Sequence, residues 1–112
     1  MKLYHNPRCS KSREGLALLE EKGCKVEIVE YMKEALTKEE LSDILDKLGM
    51  KAEQLVRKGE PIYKEKFKGK RKTNAGWISA MIKYPQLIQR PILIDSDKAV
   101  LGRPVEDFNS IL

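Results

Sequence analysis

One histidine and two cysteines in 112 residues are too few ligating side chains, at the wrong spacing, to build a zinc or other transition-metal centre. No metal is expected. No apolar run approaches the ~20 residues that cross a bilayer as a helix, so a membrane-spanning helix is excluded. The first residues, Met1-Lys2-Leu3-Tyr4-His5-Asn6-Pro7, lack the apolar core and small-residue cleavage site of a secretory leader. The expected location is therefore the cytoplasm, where Cys9 and Cys24 stay reduced rather than form a structural disulfide. Repeats, low-complexity tracts and linker-like stretches are also missing. The length suits one domain, residues 1–112, with a core large enough to fold unaided.

Charge is what the chain has in quantity. Twenty-two Lys and Arg face 17 Asp and Glu, a net charge of +5, which favours anionic ligands. The basic side chains crowd into Lys64–Lys72, a run with one aromatic residue, Phe67, and no nucleic-acid motif. It reads as a solvated, mobile loop, with an anion or partner patch as the alternative. Nucleic acid is not an expected partner.

Lys2-Leu3-Tyr4 predicts a short strand ended by Asn6-Pro7, since proline cannot continue a central ladder. Ser10 is placed to cap a following helix, Leu16 and Leu19 recur on one face, and Gly23 suits a left-handed stop. Val26–Val29 is rich in β-branched residues and predicts a second strand, parallel to the first because a helix joins them. Thr37-Lys38-Glu39-Glu40 is a capping box, and Leu41, Ile44, Leu45 and Leu48 follow on one helical face before Gly49. A further helix is expected from about Asn74, buried through Trp77, Ile78, Met81 and Ile82 and stopped by Pro85. Pro91–Ile94, a turn at Asp95–Asp97 and Ala99–Leu101 read as a β-hairpin. Gly102 breaks it, and Pro104 opens a last helix expected to cover the sheet with Val105, Phe108 and Leu112. The order β-α-β, helical insertion, β-β-α predicts an α/β, thioredoxin-like fold with an enlarged middle.

Cys9 falls at the junction of strand and helix, where unpaired N–H groups and the helix dipole stabilise negative charge. His5, Arg8, Lys11 and Arg13 lie close in sequence and add to the pull, so the thiol should ionise more readily than a free cysteine. The same helix start can hold a phosphate-like oxyanion. A structural role in the core is the alternative, and the Asn-Pro turn and charged neighbours argue against burial. Cys9-Ser10-Lys11-Ser12 is C-x-x-S, so no second sulfur is available locally and the resolving thiol must come from another molecule. Ser12 can instead donate a hydrogen bond to the sulfur. Cys24 is separated by roughly 15–20 Å of helix, at about 1.5 Å per residue. A disulfide needs Cα atoms within about 7 Å, so Cys24 reads as structural or incidental. His5 is a hydrogen-bond or charge partner of Cys9, or else a polar loop residue.

Tyr4-His5-Asn6-Pro7-Arg8-Cys9-Ser10-Lys11-Ser12-Arg13 resembles the Y-H-N-P-x-C-x-x-S-R signature of ArsC-type, glutaredoxin-linked arsenate reductases. The likeness continues through Leu55-Val56-Arg57-Lys58, Arg90-Pro91-Ile92 and Gly102-Arg103-Pro104, and so spans almost the whole chain; Glu60–Lys72 matches poorly. The resemblance implies a thioredoxin-like fold with a helical insertion and a cis Pro91. It implies Cys9 as nucleophile and Arg57, Arg90 and Arg103 as the arginines that surround the oxyanion. Guanidinium forks suit that task because each donates two parallel charge-assisted hydrogen bonds. The implied substrate is arsenate or a similar oxyanion. No bound cofactor is implied; glutathione serves as co-substrate and a glutaredoxin-like protein as partner, clearing a mixed disulfide from Cys9.

The redox-responsive transcription regulator Spx is similar in fold and binds RNA polymerase without reducing an oxyanion. Its usual switch is a C-x-x-C disulfide. Ser12 removes that switch and Arg103 keeps an enzyme-like residue, so the enzyme reading takes precedence.

Overall fold

Leu3, Leu19, Leu93 and Phe108 are fully buried against one another and form the core of the sheet-bearing part of the chain. Each such side chain contributes about 1.5–3 kcal/mol when withdrawn from water. A computed structural model describes residues 1–112 and resolves two compact units, Met1–Glu34 with Arg90–Leu112, and Ala35–Gln89.

In the first unit β1 (Lys2–Tyr4), α1 (Ser10–Glu21) and β2 (Glu27–Val29) form the expected β-α-β, and the two strands pair in parallel. The hairpin of β3 (Ile92–Asp95) and β4 (Lys98–Leu101) adds antiparallel strands, giving the sheet order β2-β1-β3-β4. This mixed four-stranded arrangement is thioredoxin-like. Central β1 and β3 bury consecutive residues, Leu3-Tyr4 and Ile92-Leu93, as strands covered on both faces do. Edge strand β2 leaves Ile28 exposed.

α1 presents Ser12, Gly15 and Leu19 as its buried residues. The small pair answers a close approach. A Cβ on Gly15 would stand 2.7 Å from Pro91 Cγ and 3.0 Å from the Phe108 ring, and one on Gly102 would stand 2.8 Å from Phe108 and 3.0 Å from Pro91. The two glycines thus let helix and loop close on the same pair of rings. Gly23, at φ +70°, stops the helix in the left-handed region, and Cys24 N–H reaches back to the Leu19 carbonyl at 2.9 Å. The Arg90–Pro91 and Arg103–Pro104 peptide bonds are both cis.

Three details of this unit differ from expectation. Cys9, not Ser10, is the N-cap of α1, because the Asn-Pro turn delivers the chain into helix one residue earlier. The last helix, Val105–Ile111, is 3₁₀ rather than α. It buries Val105 and Phe108 but leaves Leu112 exposed, since the tighter winding carries position 112 off the buried stripe.

The second unit is helical. α2 (Lys38–Leu48) carries the expected capping box, with Thr37 Oγ1 accepting from Glu40 N–H at 3.1 Å and Glu40 Oε1 from Thr37 N–H at 3.3 Å, and ends at Gly49. Leu41, Ile44 and Leu45 are its buried face. α3 (Ala52–Leu55) and α4 (Pro61–Lys66) follow, each too short to leave a helical period in the sequence. α5 (Asn74–Lys83) packs on α2 and α3, buries Trp77, Ile78, Ala80 and Met81, and is capped by Thr73. Asn74 Oδ1 accepts the Ala52 N–H at 2.7 Å, tying the start of α3 to that of α5. The solvated-loop reading of Lys64–Lys72 needs correction: Lys64–Lys66 are the last residues of α4, and Phe67 is buried against Trp77 and Tyr84.

Candidate active site

The register of the sheet explains why distant residues meet. β1 and β2 end side by side, Tyr4 against Val29, while β3 begins opposite Tyr4 at Ile92 and β4 ends opposite Ile92 at Leu101. The segments leaving or entering at that one edge are His5–Cys9, Glu30–Tyr31, Arg90–Pro91 and Gly102–Arg103. All lie in the first unit. Outside the carboxyl ends of parallel strands is where α/β sheets commonly hold ligands.

Cys9 enters α1 in an extended conformation, φ −93° and ψ 126°. Its N–H donates to the Asn6 carbonyl at 3.0 Å, and Asn6 Oδ1 accepts the Arg8 N–H at 3.1 Å, so the Asn-Pro turn is closed from both sides. Contrary to the expectation of an accessible thiol, Cys9 is only 8% exposed. Burial is the largest influence on it and pushes the thiol up. The Ser12 N–H, a hydrogen bond and charge from Arg90, and the Lys11 N–H together outweigh that, holding Cys9 below its ordinary 9.0. A thiolate at this helix start is thus met by main-chain donors and a guanidinium rather than by water.

Arg90 and Arg103 reach this sulfur from the two ends of the hairpin. Arg103 Nη2 lies 3.8 Å from Cys9 Sγ, and its Nε donates to the Arg90 carbonyl at 2.8 Å. Arg90 is buried and hydrogen-bonds both the Cys9 sulfur and the Tyr31 hydroxyl. Tyr31, 1% exposed, is a site residue that composition and motif did not single out. Burial, aided by the nearby Cys9 charge and opposed by Arg90 and Arg103, pushes its phenol up to about 12. It is therefore a neutral phenol at any working pH. Its only trace in the sequence is its place two residues after β2, at the same sheet edge as Cys9.

Ser12 does not use its side chain as expected. The hydroxyl, fully buried, accepts the Asn6 N–H at 2.9 Å and pairs with His5 Nδ1 at 2.8 Å, while the residue's backbone N–H serves the sulfur. His5 touches Ser12 through that hydroxyl. Burial lowers its pKa, against smaller opposing effects from Glu30 and Ser12, so it is neutral near pH 7. Arg13 Nη1 donates to the Pro7 carbonyl at 2.9 Å, fastening the turn that precedes Cys9. Cys24 is half-buried and packs beside the Leu3 core, with both cysteines free.

Arg57 belongs to the second unit. Its N–H donates to the Leu87 carbonyl at 2.6 Å beside the Val56–Ile88 bridge, and its Nη1 lies 3.7 Å from Glu60 Oε2. Beside the Cys9 loop, in the first unit, a cleft of about 280 Å³ is lined by Asn6, Pro7, Arg8, Glu30, Met32 and Lys33. It offers both signs of charge. No three His, Cys, Asp or Glu side chains converge in a way that could hold a metal ion.

Residues 4–111 match the model of the ArsC family. The arsenate reductase of Neisseria meningitidis serogroup A is 40% identical, over 100% of this chain and 97% of that protein. Uncharacterized protein YfgD of Escherichia coli K12 is 42% identical over 100% of this chain and 96% of that one. The solved structure of the arsenate reductase from Vibrio cholerae superposes with a TM-score of 0.93 at 38% identity, covering 100% of this chain and 98% of that chain.

Proposed function

The chain belongs to the ArsC family, and from that footing we propose that it is an oxidoreductase that reduces arsenate, with Cys9 as the nucleophile. One observation carries the reading: the Cys9 sulfur faces the Ser12 and Lys11 N–H groups, Arg90 and, at 3.8 Å, Arg103. Donors that stabilise a thiolate there also suit the oxygens of a tetrahedral oxyanion.

In the first step the Cys9 thiolate attacks arsenic to form an S–As bond, and an arsenate hydroxyl breaks away, taking one further proton from solvent to leave as water. Arg90 and Arg103 hold the remaining oxygens, with Arg57 proposed as the third arginine of the set. Preorganised donors of this kind are worth about 10²–10³ in rate each. Glutathione then attacks the Cys9 sulfur. The S–As bond breaks with its electron pair passing to arsenic, which leaves as arsenite, and Cys9 is left in a mixed disulfide. The cleft beside the Cys9 loop suits the approach of this small zwitterionic thiol, since Arg8, Lys33 and Glu30 line it. A glutaredoxin thiol finally takes the glutathionyl group, and Cys9 returns as thiolate. An outside thiol is needed because Cys24 is packed beside the core.

The test is arsenate-dependent oxidation of NADPH through glutathione reductase, with glutaredoxin added or withheld and with thioredoxin and its reductase as the other donor. Turnover that requires glutathione and glutaredoxin is expected. Turnover with thioredoxin alone would contradict the proposed reductant, and none with either donor would contradict arsenate reduction.

A further inference from the structure

The second unit holds a charge that nothing in the active-site reading uses. The run Lys64–Lys72 together with Lys83 contains seven basic side chains against Glu65 alone, more than the whole net charge of +5. The rest of the chain is close to neutral. Five of these lysines line an open groove of about 580 Å³ between the end of α4 and the outer side of α5, floored by Phe67, Tyr84 and Ser79.

Three of the groove's five exposed ammonium groups lie over aromatic rings. Lys66 Nζ lies 5.9 Å and Lys83 Nζ 5.5 Å from the centre of the one Tyr84 ring, and Lys72 Nζ lies 5.5 Å from that of Phe67. Cation–π attraction of this kind draws like charges onto two neighbouring rings. None of the groove lysines pairs with a carboxylate. Elsewhere Lys2, Lys11, Lys33, Lys47 and Lys58 do, while Lys25 and Lys98 among others do not. Glu65 lines the same groove and still neutralises none of them.

We infer that this groove is a docking site for an acidic peptide segment of a protein partner. Charge complementarity chooses an anion, and the lining chooses its kind. Single-stranded nucleic acid needs open aromatic faces on which bases stack, whereas the Tyr84 ring lies under two lysines and Phe67 is packed against Trp77 and Tyr84. A small phosphate ester is held most specifically by guanidinium forks or a nest of main-chain N–H groups, with lysine adding a point charge. The groove supplies point charges on flexible stems along an open trough, which suits successive carboxylates on an extended chain.

The experiment is fluorescence anisotropy of the full chain with a labelled peptide of alternating Glu and Ser, at low and moderate salt. Lys66→Glu/Lys83→Glu is compared with Lys25→Glu/Lys98→Glu, which makes the same change in net charge at exposed positions in the first unit. Circular dichroism checks folding, and Lys66→Gln/Lys83→Gln replaces the groove variant if reversal prevents it. The groove pair should weaken binding by about tenfold, equivalent to about 1.4 kcal/mol, while the control pair stays within about twofold of wild type on the scale of single exposed charges. Equal weakening by both pairs would overturn the site in favour of diffuse attraction. Tighter binding of a single-stranded oligonucleotide or of inorganic tripolyphosphate at the groove would overturn the assignment to a protein partner.

Discussion

Arg103 donates from Nε to the backbone carbonyl of Arg90 at 2.8 Å, so the side chain that approaches Cys9 is anchored to the main chain of the other arginine of the site. A lysine at position 103 would keep the charge but could not hold that carbonyl and face the sulfur with one planar group. Arg103→Lys should therefore lower kcat/KM for arsenate by about ten- to a hundredfold, the equivalent of losing about 1.5–3 kcal/mol of charge-assisted hydrogen bonding. Activity equal to wild type in a folded variant would mean that charge alone suffices.

Tyr31 bears on Arg90 as the carbonyl bears on Arg103. Tyr31→Phe keeps the ring in its buried place and removes only the oxygen that hydrogen-bonds Arg90. With Arg90 less firmly held, the Cys9 pKa should rise toward the ordinary thiol value, and kcat should fall. The pH profile of Cys9 alkylation by iodoacetamide reads this without arsenate. An unshifted profile would reduce Tyr31 to packing.

His5 makes folding depend on pH. Its pKa is lowered in the fold by burial, so the unfolded chain binds the proton more readily. Below the ordinary value of 6.5 stability should fall as pH falls, down to the lowered folded value, with a slope of at most about 1.4 kcal/mol per pH unit. Urea unfolding across this range should show wild type losing more stability than His5→Gln. Parallel curves for the two proteins would contradict the assignment.

Gly15 faces Pro91 Cγ at a position where a Cβ would lie 2.7 Å away. Gly15→Ala should cost about 1–3 kcal/mol by overpacking, despite the better helix propensity of alanine. An unchanged thermal midpoint would show that Pro91 and Phe108 can move aside.

Much of this architecture is legible in the sequence because its signals are local. The Thr37 capping box, the leucines of α2, the Gly23 stop and the Asp95–Asp97 turn each act within a few residues, and the structure has an element at each. The 3₁₀ winding of Val105–Ile111 and the short α3 and α4 carry no such period. At the site, helix-start chemistry points to Cys9 and Ser12, but it is the Ser12 main-chain N–H and not its hydroxyl that serves the sulfur. Its oxygen is taken by Asn6 and His5, a contact decided by how the turn folds back on α1. Tyr31 escaped because a tyrosine after a strand is ordinary until sheet register places it beside two arginines. Charged neighbours in sequence suggest an accessible Cys9, whereas in the fold Arg90 and backbone donors surround a buried sulfur.

The most direct test of the central claim is intact-protein and peptide mass spectrometry after incubation with arsenate and glutathione but no glutaredoxin. A single glutathione adduct should form on Cys9, in wild type and in Cys24→Ser, only when arsenate is present, and Cys9→Ser should show none. An adduct that forms equally without arsenate, one carried on Cys24, or an internal Cys9–Cys24 disulfide in its place would contradict the account.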